Sequence, residues 1–254
     1  ELQQLESEHP ELVTTDSPTE RVGGAPREGF VKVRHSSPML SLDNALNEGE
    51  LREFDRRVRD LLGGEPFRYV AELKLDGLSM AVRYRDGVLH QAVTRGDGIE
   101  GEDVTENART IRSLPLSIET DERALEVRGE VILGRRAFER LNLDRDREGQ
   151  PRFANPRNAA AGSIRILEPA ITASRRLDYS AYFLLDGGAP LADSHWESLA
   201  RLAEFGFKVN PERRLCRDIE ELIEYCREWA RRREDLPYAT DGVVAKVDSA
   251  RQQR

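Results

Sequence analysis

The sequence predicts an α+β fold in which antiparallel sheets are flanked by helices. Polar and apolar residues alternate from Tyr69 to Asp76, the pattern of a strand with one buried face. Asp86-Gly87 lies between two β-like segments and is typical of a hairpin turn. Helical periodicity follows Ser194 and again Asp218. Strands grouped as hairpins, with helices inserted between them, favour the α+β class.

The first 34 residues predict a short helix followed by a linker. Leu2 and Leu5 have helical spacing, and Pro10 interrupts the pattern. The stretch from Thr14 to Gly29 contains Ser-Pro and Gly-Gly steps, which are typical of a connecting segment.

The remaining predicted elements are regular. Asn47 and Ser194 each precede a Glu by three residues, which is the capping-box pattern of a helix start. In chain order, we predict a helix over 47–62, strands over 69–75, 81–84, 88–94 and 125–133, helices over 194–205 and 218–236, and a strand over 241–247.

Composition excludes several classes of protein. Hydrophobic residues make up 38% of the 254 residues and charged residues 34%, and no apolar run approaches the ~18 residues of a membrane span. The N-terminus has no basic-then-apolar leader. Cys216 and Cys226 suggest neither a disulfide framework nor a four-ligand zinc site, so we expect a reducing, cytoplasmic compartment. The net charge of −8 argues against a polybasic surface that binds nucleic acid alone.

Lysine is rare among the basic residues. Of 39 Lys and Arg residues, the lysines are Lys32, Lys74, Lys208 and Lys246. Arginine stays protonated near neutral pH, so each lysine is a candidate for amine chemistry, although a surface role is the commoner outcome. The four histidines are scattered without metal-ligand spacing, and we expect surface or helix-capping positions for them.

Lys74 occupies the most suggestive position. Alternate residues of a strand share a face, so Glu72, Lys74 and Asp76 should point the same way, and Asp76-Gly77 then turns the chain. The simpler interpretation is a solvated charged face; the alternative is a lysine at the edge of a cleft. A nucleophilic lysine must lose a proton held with a pKa of about 10.4, which requires nearby cations, burial or a metal.

Glu72-Leu-Lys74-Leu-Asp76-Gly77 resembles the Lys-x-Asp-Gly signature of the covalent nucleotidyltransferases. The blocks that surround it are similar, in order and spacing, to those of bacterial NAD-dependent DNA ligases. They are Pro38–Asn44, Thr94–Gly98, Gly101–Asp103, Glu126–Glu130, Phe153–Ser163 and Asp241–Lys246. The chain therefore resembles the adenylation domain of that family, which implies the covalent nucleotidyltransferase (ATP-grasp-like) fold.

The resemblance implies a role for each matching residue. Lys74 would attack the α-phosphorus of NAD⁺, form lysyl-AMP and release nicotinamide mononucleotide (NMN). Glu72 would bind the adenine amino group, Tyr182 would stack on the ring, and Arg95 and Glu130 would hold the ribose. Further contacts to the nucleotide would come from Ser41, Leu42, Leu75 and Val244, with Lys246 reaching the phosphate and opposing protonation of Lys74. Phosphate or DNA contacts would come from Arg157, Arg165 and Arg233.

The resemblance also implies cofactors and partners. Mg²⁺ or Mn²⁺ would assist, with Asp76, Glu130 or Asp241 as the candidate metal ligands. Zinc would belong to a four-cysteine module outside this chain. The partner of the full-length protein would be nicked double-stranded DNA, joined during replication and repair in the bacterial cytoplasm, and we expect a monomer and no membrane association.

The resemblance implies a domain division. Residues 1–34 would be the remnant of an N-terminal NMN-binding helical subdomain with its linker, and residues 35–254 the adenylation domain, ending before the family's last motif. We therefore expect this chain to bind AMP, to adenylate itself poorly from NAD⁺ and to seal no nicks.

Other interpretations remain open at this point. An ATP-dependent polynucleotide ligase would share the lysine motif, and a nucleotide- or DNA-binding module could keep the fold without activity. The segment Gly96–Gly101 is glycine-rich, but it lacks the Lys-Ser/Thr of a phosphate-binding loop and suits a turn better.

Overall fold

The structure is a computed structural model that describes residues 2–14, 17–21 and 29–254. Its strands are β1 (Lys32–Arg34), β2 (Tyr69–Leu75), β3 (Leu78–Arg85), β4 (Val88–Thr94), β5 (Glu100–Glu102), β6 (Ala124–Ile132), β7 (Asp178–Asp186), β8 (Ala189–Pro190), β9 (Lys208–Val209), β10 (Arg214–Cys216) and β11 (Thr240–Val247). Its α-helices are α1 (Leu2–Glu8), α2 (Glu48–Leu61), α3 (Thr105–Arg109), α4 (Arg135–Arg147), α5 (Pro156–Ile164), α6 (Pro169–Ser174), α7 (His195–Glu204) and α8 (Ile219–Arg232). Three short 3-10 helices span Pro10–Leu12, Pro18–Arg21 and Arg233–Asp235.

Two sheets organise the molecule. The large sheet has the order β4-β3-β6-β7-β8, with antiparallel neighbours, and β9 pairs in parallel with β7. The small sheet has the order β10-β2-β11 and is antiparallel throughout. A two-stranded ladder joins β1 to β5. This confirms the predicted α+β class with antiparallel sheets.

Each sheet has its own apolar core. One face of the large sheet packs on a core that includes Met80, Val127 and Tyr179. The outer face of the small sheet packs on α8 through a second core that includes Leu73 and Trp229. The inner face of the small sheet therefore turns toward the large sheet, which leaves room for a polar cleft between them.

Side-chain caps fix the starts of the predicted helices. The Asn47 carboxamide accepts from the Glu50 amide at 3.0 Å, and Ser194 Oγ accepts from the Glu197 amide at 3.2 Å. Asp218 accepts from the amides of Glu220 and Glu221, both at 3.0 Å. These bonds satisfy amide groups that have no partner within the helix, so the three helices predicted from capping residues are confirmed.

The predicted hairpin is also confirmed. Asp86 and Gly87 have φ values of 48° and 76°, and they join β3 to β4. Both central residues of a type I′ turn require positive φ, which Asp and Gly tolerate.

The elements between β6 and α7 were not predicted from the sequence: they are α4, α5, α6, β7 and β8. Helix α4 is rich in Arg and Asp, and Leu141 and Asn142 are its buried residues, so it has little apolar periodicity. Both cysteines are free thiols. Among the described helices, none combines the length and the apolar composition that a membrane span requires.

Candidate active site

The inner face of the small sheet presents Glu72 and Lys74. Tyr69, Ala71 and Leu73 pack in the outer core, so the residues between them face the opposite way. This confirms that Glu72 and Lys74 share a face. Strand β11 lies beside them, with Gly242 opposite Lys74 and Val244 opposite Glu72.

Gly77 brings the end of β2 against the large sheet. A Cβ atom at this position would lie 2.2 Å from the carbonyl oxygen of Val131 and 2.9 Å from Cγ of Glu130. Any larger residue would push β2 away from β6. The glycine of the lysine motif is therefore required by this close approach, which sets Lys74 at the junction of the two sheets.

Lys74 is half-exposed and ion-paired. Its Nζ donates to Oδ2 of Asp241 at 2.5 Å, and 40% of its side chain is accessible to solvent. The β2–β11 register shifts between Thr240 and Gly242, so Asp241 is the extra residue of a bulge. Bulges re-aim side chains, and this one directs the Asp241 carboxylate to the lysine amine.

Glu130 lies opposite, on β6 of the large sheet. Its side chain is buried, and Ser79 Oγ donates to Oε2 at 2.8 Å. Burial raises the pKa of Glu130 to about 7, against the opposing fields of Arg157, Lys74 and Arg95. The buried Glu130 carboxyl thus lies in the field of three cations, two of which are also paired with the carboxylates of Asp241 and Asp76.

A second bulge shapes the other end of the cleft. In the β6–β7 ladder, Arg128 is opposite Phe183 while Gly129 is opposite Ala181, which leaves Tyr182 as the extra residue. Tyr179, Ala181 and Leu184 all face the large core, so Tyr182 and Phe183 both point away from it. The ring centroids of these two residues lie 5.3 and 5.7 Å from Nζ of Lys246. Burial raises the pKa of Tyr182 to about 12.

Lys246 lies at Glu72. Its Nζ donates to Oε2 of Glu72 at 3.0 Å and to the carbonyl oxygen of Tyr182 at 3.4 Å. Lys246 is opposite Val70, four residues from Lys74, which is roughly 13 Å along the strand. Because the charge of Lys246 is matched by Glu72, this geometry gives no support to the expected effect of Lys246 on the protonation of Lys74.

The Glu72 carboxylate is buried, and its surroundings stabilise the ionised form. Burial by itself would raise the pKa of Glu72, but Lys246 and His195 together lower it to about 2. His195 reaches Oε2 through Nε2 at 2.8 Å.

Two of the four histidines are not at the surface, and for these the prediction was wrong. His195 is 3% exposed, and His35 is 7% exposed with Nε2 3.1 Å from the carbonyl oxygen of Arg95. The spacing of the histidines gave no sign of this, because the partners are distant in the chain.

Ser41 and Leu42 are exposed, and the hydrogen-bond partners of Glu72 within the described residues are His195 and Lys246 instead. Leu42 borders a cavity of about 730 Å³ whose walls include Leu73, Val243 and Ala245, on the outer side of the small sheet. The segment before Ser41 is anchored to the large sheet, since Arg128 donates to carbonyl oxygens of residues 37 and 38 at 2.7 and 3.0 Å. Leu75 is half-buried at the end of β2.

Of the three predicted phosphate-binding arginines, Arg157 contacts the lysine motif. Its Nη1 donates to Oδ1 of Asp76 at 3.3 Å, just beyond the end of β2. Arg165 is ion-paired with Glu102 at 2.6 Å, and Arg233 borders the 730 Å³ cavity. Within the described part of the chain, neither Arg165 nor Arg233 is ion-paired with a residue of the lysine motif.

The three candidate metal ligands, Asp76, Glu130 and Asp241, could hold a metal ion only if a bound substrate supplied some of its ligands. Among residues 2–14, 17–21 and 29–254, no group of three or more His, Cys, Asp or Glu side chains could enclose a metal ion. Asp76, Glu130 and Asp241 are each engaged by a protein donor. Mg²⁺ commonly binds through one or two carboxylates, waters and substrate phosphates, and the residues present are compatible with that arrangement.

Comparison with known proteins identifies the family. Residues 27–254 match the NAD-dependent DNA ligase adenylation domain, and residues 1–23 match the DNA ligase-like, N-terminal NAD⁺-binding domain. The predicted boundary at residue 34 stays a prediction.

The relatives are bacterial proteins. The DNA ligase of Solibacter usitatus is 68% identical over 253 residues, which are 100% of this chain and 38% of that protein. The DNA ligase of Pelotomaculum thermopropionicum is 55% identical over 263 residues, covering 100% of this chain and 39% of that protein. The chain thus spans less than two-fifths of the length of these relatives. A solved structure, mycobacterial DNA ligase D complexed with ATP and MES, matches with a TM-score of 0.40 and 17% identity over 72% of this chain and 49% of that chain, a likeness too low to carry an argument. Since one family model covers nearly the whole chain, the protein belongs to the NAD-dependent DNA ligase adenylation domain family.

Proposed function

We propose that this chain carries out the lysine adenylation step of NAD-dependent DNA ligation. The Lys74 amine in its neutral form attacks the α-phosphorus of NAD⁺. A P–N bond forms, the P–O bond to NMN breaks, NMN leaves with the bonding electrons, and the nitrogen of Lys74 releases one proton to water. In the whole protein, AMP then passes to the 5′-phosphate of nicked DNA. The observation that carries the proposal is the position of Lys74 at the junction of the two sheets, beside Asp241 and in the field shared by Glu130 and Arg157.

The two ends of the cleft suit the two ends of AMP. Glu72 offers an acceptor and Lys246 a donor, and the rings of Tyr182 and Phe183 lie close to the Lys246 ammonium. Polar groups beside aromatic rings are the chemistry that binds a purine. Glu72 and Lys74 are two residues apart on one strand face, roughly 7 Å. A base at Glu72 would place its ribose toward Glu130 and its α-phosphate toward Lys74. In this arrangement Lys246 contacts the base, in place of the phosphate contact expected from the sequence.

Charge neutralisation is the main task in phosphoryl transfer. Asp241 holds the Lys74 amine in the cleft, and Arg157 supplies a cation close to Asp76. A divalent Mg²⁺ or Mn²⁺ held by phosphate oxygens, water and one of Asp76, Glu130 or Asp241 would supply further neutralisation. The proposal also includes action on nicked DNA in replication and repair, which the family match and the bacterial relatives support. A monomeric state and a bacterial cytoplasmic location complete it.

Intact-protein mass spectrometry tests the proposal. The chain is incubated with NAD⁺ and Mg²⁺ for increasing times, and any AMP adduct is located by fragmentation. We expect a slow, substoichiometric gain of one AMP on Lys74 and none in Lys74→Arg. Lys208→Arg is the matched control, because Lys208 is an exposed lysine paired with Asp178. An adduct that persists in Lys74→Arg would refute the assignment, and rapid stoichiometric labelling would refute the expected poor activity with NAD⁺.

A further inference from the structure

His195 is a buried imidazole that the proposed chemistry does not use. It is the first residue of α7, and its side chain is 1% exposed. Its position is fixed by hydrogen bonds between the start of α7 and the segment that follows β11. The His195 amide donates to the carbonyl oxygen of Asp248 at 2.7 Å, and the Asp248 carboxylate accepts from Ser194 Oγ at 2.8 Å and from the Trp196 amide at 3.0 Å. The start of α7 is thereby tied to the residues that follow Lys246 on β11.

The imidazole and the Lys246 ammonium converge on one oxygen. Nε2 of His195 lies 2.8 Å and Nζ of Lys246 lies 3.0 Å from Oε2 of Glu72. Within the described part of the chain, Oε1 of Glu72 accepts no hydrogen bond. One carboxylate oxygen is thus occupied by two donors, while the other is left for a ligand.

The hydrogen-bond pattern selects one form of the imidazole. Nε2 lies 2.8 Å from Oε2 of Glu72 and 3.0 Å from Nζ of Lys246. The Lys246 ammonium has Oε2 of Glu72 and the carbonyl oxygen of Tyr182 as acceptors of its own, so the shorter contact to the carboxylate favours a proton on Nε2. Nδ1 of His195 is buried and has no partner within the described residues, so a proton there would be unsatisfied. A second positive charge beside Lys246 is also disfavoured, and burial together with Lys246 lowers the pKa of His195. His195 is therefore a neutral donor.

We propose that His195 is a positioning residue for base recognition: its Nε2–H fixes Oε2 of Glu72, so that Oε1 is held ready to accept a hydrogen bond from the exocyclic amine of adenine. Without this donor the carboxylate could rotate and offer Lys246 both oxygens. His195 would thus make the site selective for 6-aminopurine nucleotides. A 6-oxopurine would be disfavoured, because its carbonyl oxygen would face the carboxylate oxygen of Glu72. This inference rests on the proposed binding of an adenine nucleotide.

Calorimetry with AMP and inosine monophosphate (IMP), which carries a carbonyl in place of the amine, tests the proposal on this chain. We expect wild type to prefer AMP by about tenfold or more, which is the effect of one hydrogen bond to a charged acceptor. His195→Leu should bring the ratio of the two dissociation constants close to one. His195→Gln, whose amide can still donate to Glu72, should retain most of the preference, and both variants should melt as cooperatively as wild type.

The outcomes separate this inference from the proposed function. A wild-type protein that does not distinguish AMP from IMP would count against adenine recognition itself. A wild-type preference that survives in His195→Leu, or an equal loss in folded His195→Leu and His195→Gln, would overturn the donor role of His195 alone.

A second measurement needs neither ligand nor variant. Nitrogen-15 NMR of the histidine side chains reports which ring nitrogen is protonated. We expect His195 to be neutral at pH 7, with its proton on Nε2. A proton on Nδ1, or a charged ring at pH 7, would overturn the inference.

Discussion

Replacing Glu130 with Gln should stabilise the protein at alkaline pH and weaken nucleotide binding. The buried carboxyl has a pKa of about 7, compared with an ordinary value of 4.5. A raised carboxyl pKa means that the charged form is disfavoured in the folded state, so the wild-type protein loses stability as pH rises from 4.5 through about 7. Above pH 8 the full effect is reached, and the free energy of unfolding is lower by about 3 kcal/mol. Since Gln must bury an amide in the same place, we expect a net gain of about 1–3 kcal/mol.

Urea denaturation at pH 5 and pH 8.5 measures this effect. At pH 8.5 the free energy of unfolding of Glu130→Gln should exceed that of wild type, and at pH 5 the two should nearly coincide. Glu119→Gln, at an exposed position, is the control and should match wild type at both values of pH. A gain of the same size at both values of pH, or no gain at pH 8.5, would refute the assignment of the raised pKa to Glu130.

Three further substitutions test other parts of the site. Gly77→Ala should destabilise the protein by more than about 2 kcal/mol in thermal or urea unfolding, because the added Cβ would overlap the β6 backbone. The control is Gly29→Ala: a Cβ at Gly29 has nothing within 4 Å, so this variant should change stability by less than about 0.5 kcal/mol. Equal effects of the two substitutions would contradict the close approach at Gly77. Glu72→Gln should lower the free energy of unfolding by about 3 kcal/mol at pH 7, because it leaves the half-buried Lys246 without its anion. Since the pKa of Glu72 is lowered to about 2, this difference from wild type should shrink as pH falls below the ordinary value of 4.5. A difference that is constant with pH would speak against the ion pair. Tyr182→Ala should weaken AMP binding about tenfold by calorimetry, while Tyr182→Phe should bind nearly as well as wild type; an equal loss in both would show that the hydroxyl, and not the ring, is needed.

Local patterns in the sequence predicted the elements that local chemistry controls. The capped helices after Asn47, Ser194 and Asp218, the Asp86-Gly87 hairpin and the shared face of Glu72 and Lys74 all depend on residues a few positions apart. Helix α4 was not predicted because most of its residues are charged and few are buried, so its sequence shows little of the apolar periodicity that indicates a helix.

The order of the motif blocks, from the lysine motif to Asp241–Lys246, determined the family and makes Lys74 the candidate nucleophile. Only the tertiary structure decided which side chains face one another across the cleft. The bulges at Tyr182 and Asp241 shift the alternation of their strands by one residue, and a pattern of residue types does not show where a ladder slips. The burial of His195 against Glu72 and Lys246 has the same origin, because its partners are 123 and 51 residues away along the chain and meet only when α7 docks on the end of β11.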